Sequence, residues 1–371
     1  MRLNRGAKFA VLCVFCAGFL GWYYARRAPK DSSSPAVKPV SQSPAASVPG
    51  IFSTEQTEPS PRAEVAQQDI YDPRGVVRES YGRIYFRWMH EDENYGRLAY
   101  VDHGELNRPQ FAEKLACEVV HYASGHGVCL KAERGFFTKY TAEIFGSDHR
   151  VIHSIPLSGV PSRTRVSPDG RYAAATVFLT GHSYTSVDFT TQTLIFDPAK
   201  GTVLGDLEQF KIMREGKPFL REDFNFWGVT FAPDSSRFFC TLSSNRVHYL
   251  VEGDLVNRTG RILKEGVECP SASPNGKLVA YKKRAPGPAV QWRIHVLSLS
   301  TGHDTPLAET RSVDDQLEWL DESHVLYALP EKPDASTARM DVWVAPLRSR
   351  ERPSLFLPAA YSPAVVRKPV R

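Results

Sequence analysis

Short apolar, strand-like runs broken by turn residues set the pattern of this chain. The run Arg165-Val166 leads into Ser167-Pro168-Asp169-Gly170, and a second run begins at Tyr172. The same phrase returns around Ala232-Pro233-Asp234-Ser235 and around Ser273-Pro274-Asn275-Gly276, and a worn copy lies at Leu320-Asp321-Glu322-Ser323. The chemistry suits a tight turn between two strands. Proline presets φ, Asp or Asn bonds the local backbone, and Gly takes positive φ. Third strands are predicted over residues 192–196, 292–297 and 341–345, and outer strands over 202–204, 304–307 and 354–357.

The period carries the fold. With Ser80, Ala123, Ser167, Ala232, Ser273 and Leu320 as markers, the steps are 43, 44, 65, 41 and 47 residues. Six markers mean six units, and steps near forty fit a four-stranded blade. The long step holds an insertion around residues 207–225. One such sheet cannot bury both faces, whereas radial packing can and leaves only short edges. The expectation is an all-β, WD40-like, six-bladed β-propeller over residues 69–366. Residues 361–366 are expected to add a strand to the first blade and close the ring. Long helices find little support; residues 110–117 are read as one short helix.

Charge narrows the function. Residues 1–30 carry Arg2, Arg5, Lys8, Arg26, Arg27 and Lys30 with no acid, which leaves 40 basic and 41 acidic side chains elsewhere. A nearly neutral body lacks the basic face that phosphate binding needs, so no nucleic-acid partner is expected. Residues 9–24 are apolar or aromatic for 16 positions, short of the roughly 20 of a full span. Trp22-Tyr23-Tyr24 suits a membrane interface, with Arg26-Arg27 just beyond. Residues 1–27 are therefore read as an uncleaved anchor, with a cleaved signal peptide as the alternative, and the membrane is contacted through residues 9–25. Residues 28–68 form a Pro- and Ser-rich linker expected to stay disordered, and 367–371 a basic tail. The C-terminal bulk is expected outside the cytoplasm. Cys117 and Cys129 flank a Gly-rich turn at 123–127, and in an oxidising compartment a hairpin there would pair them in a disulfide. The pairing of Cys240 and Cys269 is left open. No metal site is expected from the cysteine spacing, and no cofactor is expected.

The three Pro-centred turns resemble those of TolB-type six-bladed propellers. More narrowly, residues 159–170, 225–231, 249–254, 267–274 and 311–316 are similar to the TolB-like propeller proteins of actinobacterial envelopes, usually described as TolB-like translocation proteins. The resemblance covers residues 80 to 366. It implies a fold and an envelope compartment, and brings no catalytic residue set with it. Unlike TolB itself, this chain is expected to place only an anchor and linker before the propeller.

Candidate binding residues follow from propeller geometry. Turns between first and second strands lie on one face; loops into first strands, and those joining second to third strands, lie on the other. The second face is expected to carry function, since loops on a rigid scaffold do so. Its residues are Arg163, His182, Tyr184, Asp188, Asp223, Asn225, Trp227, Lys282, Arg311, Asp314 and Asp315. They are read as a rim that binds an envelope or membrane protein. The alternative is a ligand-binding or hydrolytic site in the central channel. Gly-x-Ser-x-Gly, His-Glu-x-x-His and phosphate-cradling Gly motifs are absent from the sequence, so no catalytic residues are named.

Overall fold

The computed structural model describes residues 81–184, 189–287, 290–332, 339–347 and 351–367. The predicted anchor, the linker and Asp188 lie outside the described residues. Six sheets follow one another along the chain, antiparallel throughout except for one pair of strands in the fourth. Blade 1 holds β1 (Tyr81–Trp88), β2 (Arg97–Asp102) and β3 (Gln110–Ala116); blade 2 holds β4 (Val119–Ala123), β5 (His126–Glu133), β6 (Lys139–Phe145) and β7 (Val151–Leu157). Blade 3 runs β8 (Val160–Val166), β9 (Ala173–Thr180), β10 (Thr190–Asp197) and β11 (Thr202–Asp206). The insertion supplies β12 (Lys211–Arg214) and β13 (Lys217–Pro218) to blade 4, beside β14 (Asn225–Phe231), β15 (Arg237–Ser244), β16 (Val247–Asp254) and β17 (Thr259–Glu265). Strand β12 pairs in parallel with β17, so the inserted residues widen the outer edge of blade 4. Blade 5 is β18 (Glu268–Ala272), β19 (Leu278–Arg284), β20 (Trp292–Ser298) and β21 (Asp304–Pro306). Blade 6 is β22 (Glu318–Trp319), β23 (His324–Pro330), β24 (Met340–Pro346) and β25 (Ser354–Leu357).

The last strand, β26 (Ala360–Arg367), pairs antiparallel with β1 and becomes the innermost strand of blade 1. The C-terminal residues thus close the ring, as the sequence suggested. Packing is as periodic as the topology. Separate apolar clusters fill the junctions of blades 1 and 2, 2 and 3, 3 and 4, 4 and 5, 5 and 6, and 6 and 1. Tyr81, Ile84 and Phe86 of the first blade meet Leu326, Val342 and Phe356 of the last in one of them.

The turns hold each other as well as their own strands. Ser167 Oγ donates to Asp169 Oδ1 at 2.7 Å and accepts from the Tyr172 N–H at 2.9 Å. Ser273 and Asn275 repeat the arrangement at 2.8 Å. Ser124 donates to the Pro168 carbonyl at 2.6 Å, and the Asp169 N–H to Ser235 Oγ at 3.2 Å, so three successive blades are linked turn to turn. Gly170 has φ +76°, and a Cβ there would lie 2.9 Å from the Ser124 carbonyl oxygen, so the neighbouring turn demands glycine too.

One expectation is corrected. Residues 110–117 are not a helix: Gln110–Ala116 is β3, the outer strand of blade 1. Its buried positions, Ala112 and Leu115, are three apart, a spacing that mimics a helix face. An outer blade strand covers little core, so its alternation is weak. The predicted disulfide is present, with Cys117 and Cys129 bonded and their Cα atoms 5.2 Å apart. It ties the segment leaving blade 1 to the second strand of blade 2. Cys240 and Cys269 are free and buried.

Candidate functional site

The inner strands do not run straight to the loop face. Register shifts interrupt β8 between Pro161 and Arg163, β14 between Trp227 and Thr230, β18 between Glu268 and Ser271, and β26 near Ser362. Positive φ marks three of these breaks, at Gly228 (+66°), Cys269 (+46°) and Ser362 (+55°). A bulge re-aims side chains and ends regular pairing. Here the bulges gather chemistry at one end of the central channel.

Lys282, on β19, is the centre of that gathering and is fully buried. Its ammonium donates to Asp314 and lies 4.0 Å from Glu268 Oε2. It also sits 4.8 Å from the Tyr184 ring centroid and 4.7 Å from that of Trp292, within cation–π reach. Arg163 donates to the Ser162 carbonyl at 2.9 Å and to the Asp314 carbonyl at 3.4 Å, with its guanidinium 5.3 Å from the Tyr184 centroid. Tyr184 and Ser162 share a hydroxyl hydrogen bond of 2.5 Å. Trp227 is buried beneath, 5.2 Å from Tyr184, 5.3 Å from Phe189 and 5.2 Å from His248 by ring centroids. His248 in turn bonds Glu268. Above these groups lies a cavity of about 280 Å³ lined by Arg163, His182, Tyr184, Asp314 and Tyr361, open at the loop face.

A larger groove, about 830 Å³, runs from the far side of Tyr184 across blades 3, 4 and 5. Phe189, Phe224 and Trp292 give it apolar walls; Glu222, Asp223, Arg246 and Arg284 give it charge. Asp223 accepts from Ser244 Oγ at 2.7 Å and the Asn245 N–H at 2.6 Å. Asn225 accepts from the Thr191 N–H at 2.7 Å and donates to the Phe189 carbonyl at 3.0 Å. These two residues shape the groove by clamping loops of blades 3 and 4.

Charge at the mouth is matched. Burial pushes the Asp314 carboxyl up, but Lys282 and Arg163 outweigh it and the net direction is down. Burial pulls the Lys282 ammonium down, and the facing anionic groups raise it further than that. Burial drives the Cys269 thiol up, away from thiolate. Several buried polar atoms here make no hydrogen bond within the protein: Arg163 Nε, Trp227 Nε1, Trp292 Nε1 and Glu268 Oε2. Such groups normally bond water or a ligand. No group of three potential metal ligands occurs among the described residues.

The structure thus gathers Arg163, His182, Tyr184, Lys282 and Asp314 at one mouth, with Trp227 below it and Asp223 and Asn225 in the adjoining groove. Two candidates stand apart. Asp315 is buried and accepts from the Ala328 N–H at 2.9 Å, and burial raises its carboxyl pKa despite Arg163. Arg311 makes a two-pronged bond to Glu309 and stacks 3.8 Å from the Trp343 centroid, so it braces blade 6. Sequence reasoning missed Glu268, Cys269, His248 and Trp292. A signal for the first two existed. Five and six residues before Pro168, Pro233, Pro274 and Asp321 stand Arg163 and Ser162, Gly228 and Trp227, Cys269 and Glu268, Gln316 and Asp315. Those are the bulged positions facing the channel in blades 3 to 5, with their counterparts in blade 6.

The opposite end of the channel holds different groups, around a smaller cavity of about 160 Å³ lined by His121, Arg165, Glu318 and Arg367. Glu318 of β22 lies 3.1 Å from Arg165 Nη1, 3.7 Å from His121 Nε2 and 4.0 Å from Arg367 Nη2. The Val166 N–H donates to His121 Nδ1 at 3.1 Å, which places the His121 proton on Nε2, toward Glu318.

The fold is similar to that of TolB from Acinetobacter baumannii, with a TM-score of 0.55 at 19% identity over 76% of this chain and 66% of that one. This is a TolB-like six-bladed β-propeller. The chain spans just under two thirds of the length of that TolB. The TolB-like disc is also similar to a chain of a nidogen/laminin complex (TM-score 0.50, 9% identity, 76% of this chain and 97% of that one). A puromycin-hydrolysing peptidase from Mycobacterium tuberculosis matches with a TM-score of 0.46 at 13% identity over 76% of this chain and 44% of that one. No family model matches the chain, and no curated protein does.

Proposed function

We propose that the protein is a membrane-tethered, extracytoplasmic binding or scaffold module whose loop face receives a segment of an envelope or membrane protein. The observation that carries this reading is the meeting of mouth and groove at Tyr184. Together they form an aromatic and charged track long enough for an extended segment, on a face held rigid by the blades beneath. The apolar residues 9–24 support the tether, and the Cys117–Cys129 disulfide suits an oxidising compartment.

The rival reading is a hydrolytic site in the channel, and the charge arrangement speaks against it. A nucleophile needs a lowered pKa or an adjacent free base. Lys282 is shifted toward its ammonium and Cys269 toward its thiol, while the nearest carboxylates are engaged by Lys282 and His248. The orphaned indole and guanidinium N–H groups favour bound water or a ligand acceptor instead.

The test is crosslinking in intact cells. Charge reversal at the exposed groove residues Arg246 and Arg284 is expected to remove a specific envelope partner, while Lys200→Glu on the opposite face leaves it. Equal recovery from all variants places the interface elsewhere and refutes the reading.

A further inference from the structure

The loop between β5 and β6 carries Arg134-Gly135-Phe136-Phe137-Thr138-Lys139. Phe136 is 97% exposed and Phe137 78%. Their rings contact each other edge to face, with centroids 4.9 Å apart. Two adjacent aromatic side chains in water at a loop tip are costly for a monomeric protein and mark an interaction site. The base of the loop is fixed, since Arg134 bonds Glu118 at 2.7 Å. Lys139 is exposed on the other flank.

We infer that Phe136 and Phe137 insert into the interface of the bilayer to which residues 9–24 hold the chain, so that the loop face turns toward the lipid. Three observations lead there. The tip projects from the same face as the channel mouth, because β5 rises from the turn at Ser124-Gly125 on the opposite face. Other exposed apolar side chains lie on that side: Tyr95 and Leu179 in the neighbouring blades 1 and 3, and Leu220 in blade 4. Finally, the sequence itself supplies a bilayer within reach. Residues 28–80, at about 3.4 Å per extended residue, can pass the roughly 25 Å height of a blade strand several times over.

Two phenylalanines alone bind a membrane weakly and reversibly, as single anchors do. Once a tether raises the local concentration, the same contact suffices to orient the disc. The inference therefore rests on the tether proposed above. The exposed acidic run Glu91, Asp92 and Glu93 of the neighbouring loop is offset by Arg134 and Lys139 on the flanks of the tip. The two rings therefore carry the contact rather than headgroup charge, and a zwitterionic bilayer suffices as partner.

The experiment uses the full chain, with Cys13 and Cys16 replaced by Ala, reconstituted with phosphatidylcholine vesicles. Cys240 and Cys269 are buried and do not compete for label. An environment-sensitive fluorophore is attached at Thr138→Cys or, as a control on the opposite face, at Lys200→Cys. Protein that floats with the vesicles is expected to show blue-shifted emission and quenching by doxyl lipid at Thr138→Cys and neither at Lys200→Cys. Adding Phe136→Ser and Phe137→Ser is expected to abolish the shift and quenching while flotation persists. Flotation with the Thr138→Cys probe in water overturns the insertion and leaves the tether standing, and points the Phe pair toward a protein partner. Quenching that survives the double Ser change also overturns it. No flotation at all overturns tether and insertion together.

Discussion

Glu318 is one carboxylate that touches four blades. It stands on blade 6, receives Arg165 from blade 3 and His121 from blade 2, and lies beside Arg367 on the strand that closes blade 1. Burial alone would push its carboxyl up, but Arg165, His121 and Arg367 outweigh that and bring it from the usual 4.5 down to about 2. A carboxyl moved that far on folding contributes about 3 kcal/mol. The folded value lies below the unfolded one, so the contribution is present above pH 4.5 and is lost as pH falls toward 2. Glu318→Gln removes it and leaves Arg165 buried with the Leu317 carbonyl as its remaining close acceptor. Loss of one partner from a buried pair typically costs about 3–5 kcal/mol. At roughly 2 °C per kcal/mol for a domain of this size, the melting temperature at pH 7 falls by about 6–10 °C.

The assay is thermal unfolding of the full chain followed by circular dichroism between pH 7 and pH 2.5, with Arg165→Met and the double variant alongside. Wild type loses stability steeply in the acid range and Glu318→Gln loses less there, so the two curves converge as pH falls. The double variant, with no unpaired guanidinium at that site, recovers much of the loss. A Glu318→Gln protein as stable as wild type at pH 7, or a double variant that melts at the sum of the two single losses, refutes the argument that this carboxylate joins the blades electrostatically.

Other consequences are quicker to check. Reduction of Cys117–Cys129, or Cys129→Ser, releases a loop of sequence separation 12 and is expected to cost about 3 kcal/mol, read as a reductant-dependent melting temperature. Gly228→Ala puts a Cβ 2.9 Å from the Cys269 Cα at a φ of +66°; it is expected to cost at least about 1–2 kcal/mol and to change the near-ultraviolet signal of Trp227. Lys282→Met leaves buried Glu268 without its nearby cation and is expected to cost about 3 kcal/mol, with partial recovery in the Lys282→Met, Glu268→Gln double variant in the same melts.

The fold was legible because turns between inner strands obey local chemistry. Ser167-Pro168-Asp169-Gly170 and Ser273-Pro274-Asn275-Gly276 form the same hydrogen bonds they advertise, and the five spacing markers among the described residues fall at the turns of blades 2 to 6. The outer strand β3 was misread because its buried residues, Ala112 and Leu115, stand three apart. The loop-face residues were legible as a set but not in their roles. Lys282 reads in sequence as the start of an exposed Lys-Lys-Arg triplet, yet it ends a buried run of four residues in β19, and only Arg284, at the strand's end, is exposed. Arg311 and Asp315 were grouped with the mouth because they share its loop; local pairing with Glu309 and with backbone N–H groups takes them elsewhere. Glu318 carried no signal of its own, since its partners Arg367, Arg165 and His121 stand 49 to 197 residues away and only ring closure brings them together.

The two ends of the channel use buried charge for opposite ends. At the turn face, Glu318 and its three partners join inner strands of four blades, so that charge is committed to holding the ring. At the loop face, bulges at Gly228, Cys269 and Ser362 break the pairing just where Lys282, Arg163 and Asp314 meet. Bulges weaken a sheet, and the donors left unpaired beside them, on Trp227, Trp292 and Arg163, cost further stability. A propeller that needed only to stand would gain nothing from either. Their coincidence with the mouth, and with the larger aromatic groove that adjoins it at Tyr184, is the physical reason for proposing recognition at this face rather than at the turn face, whose cavity is about 160 Å³.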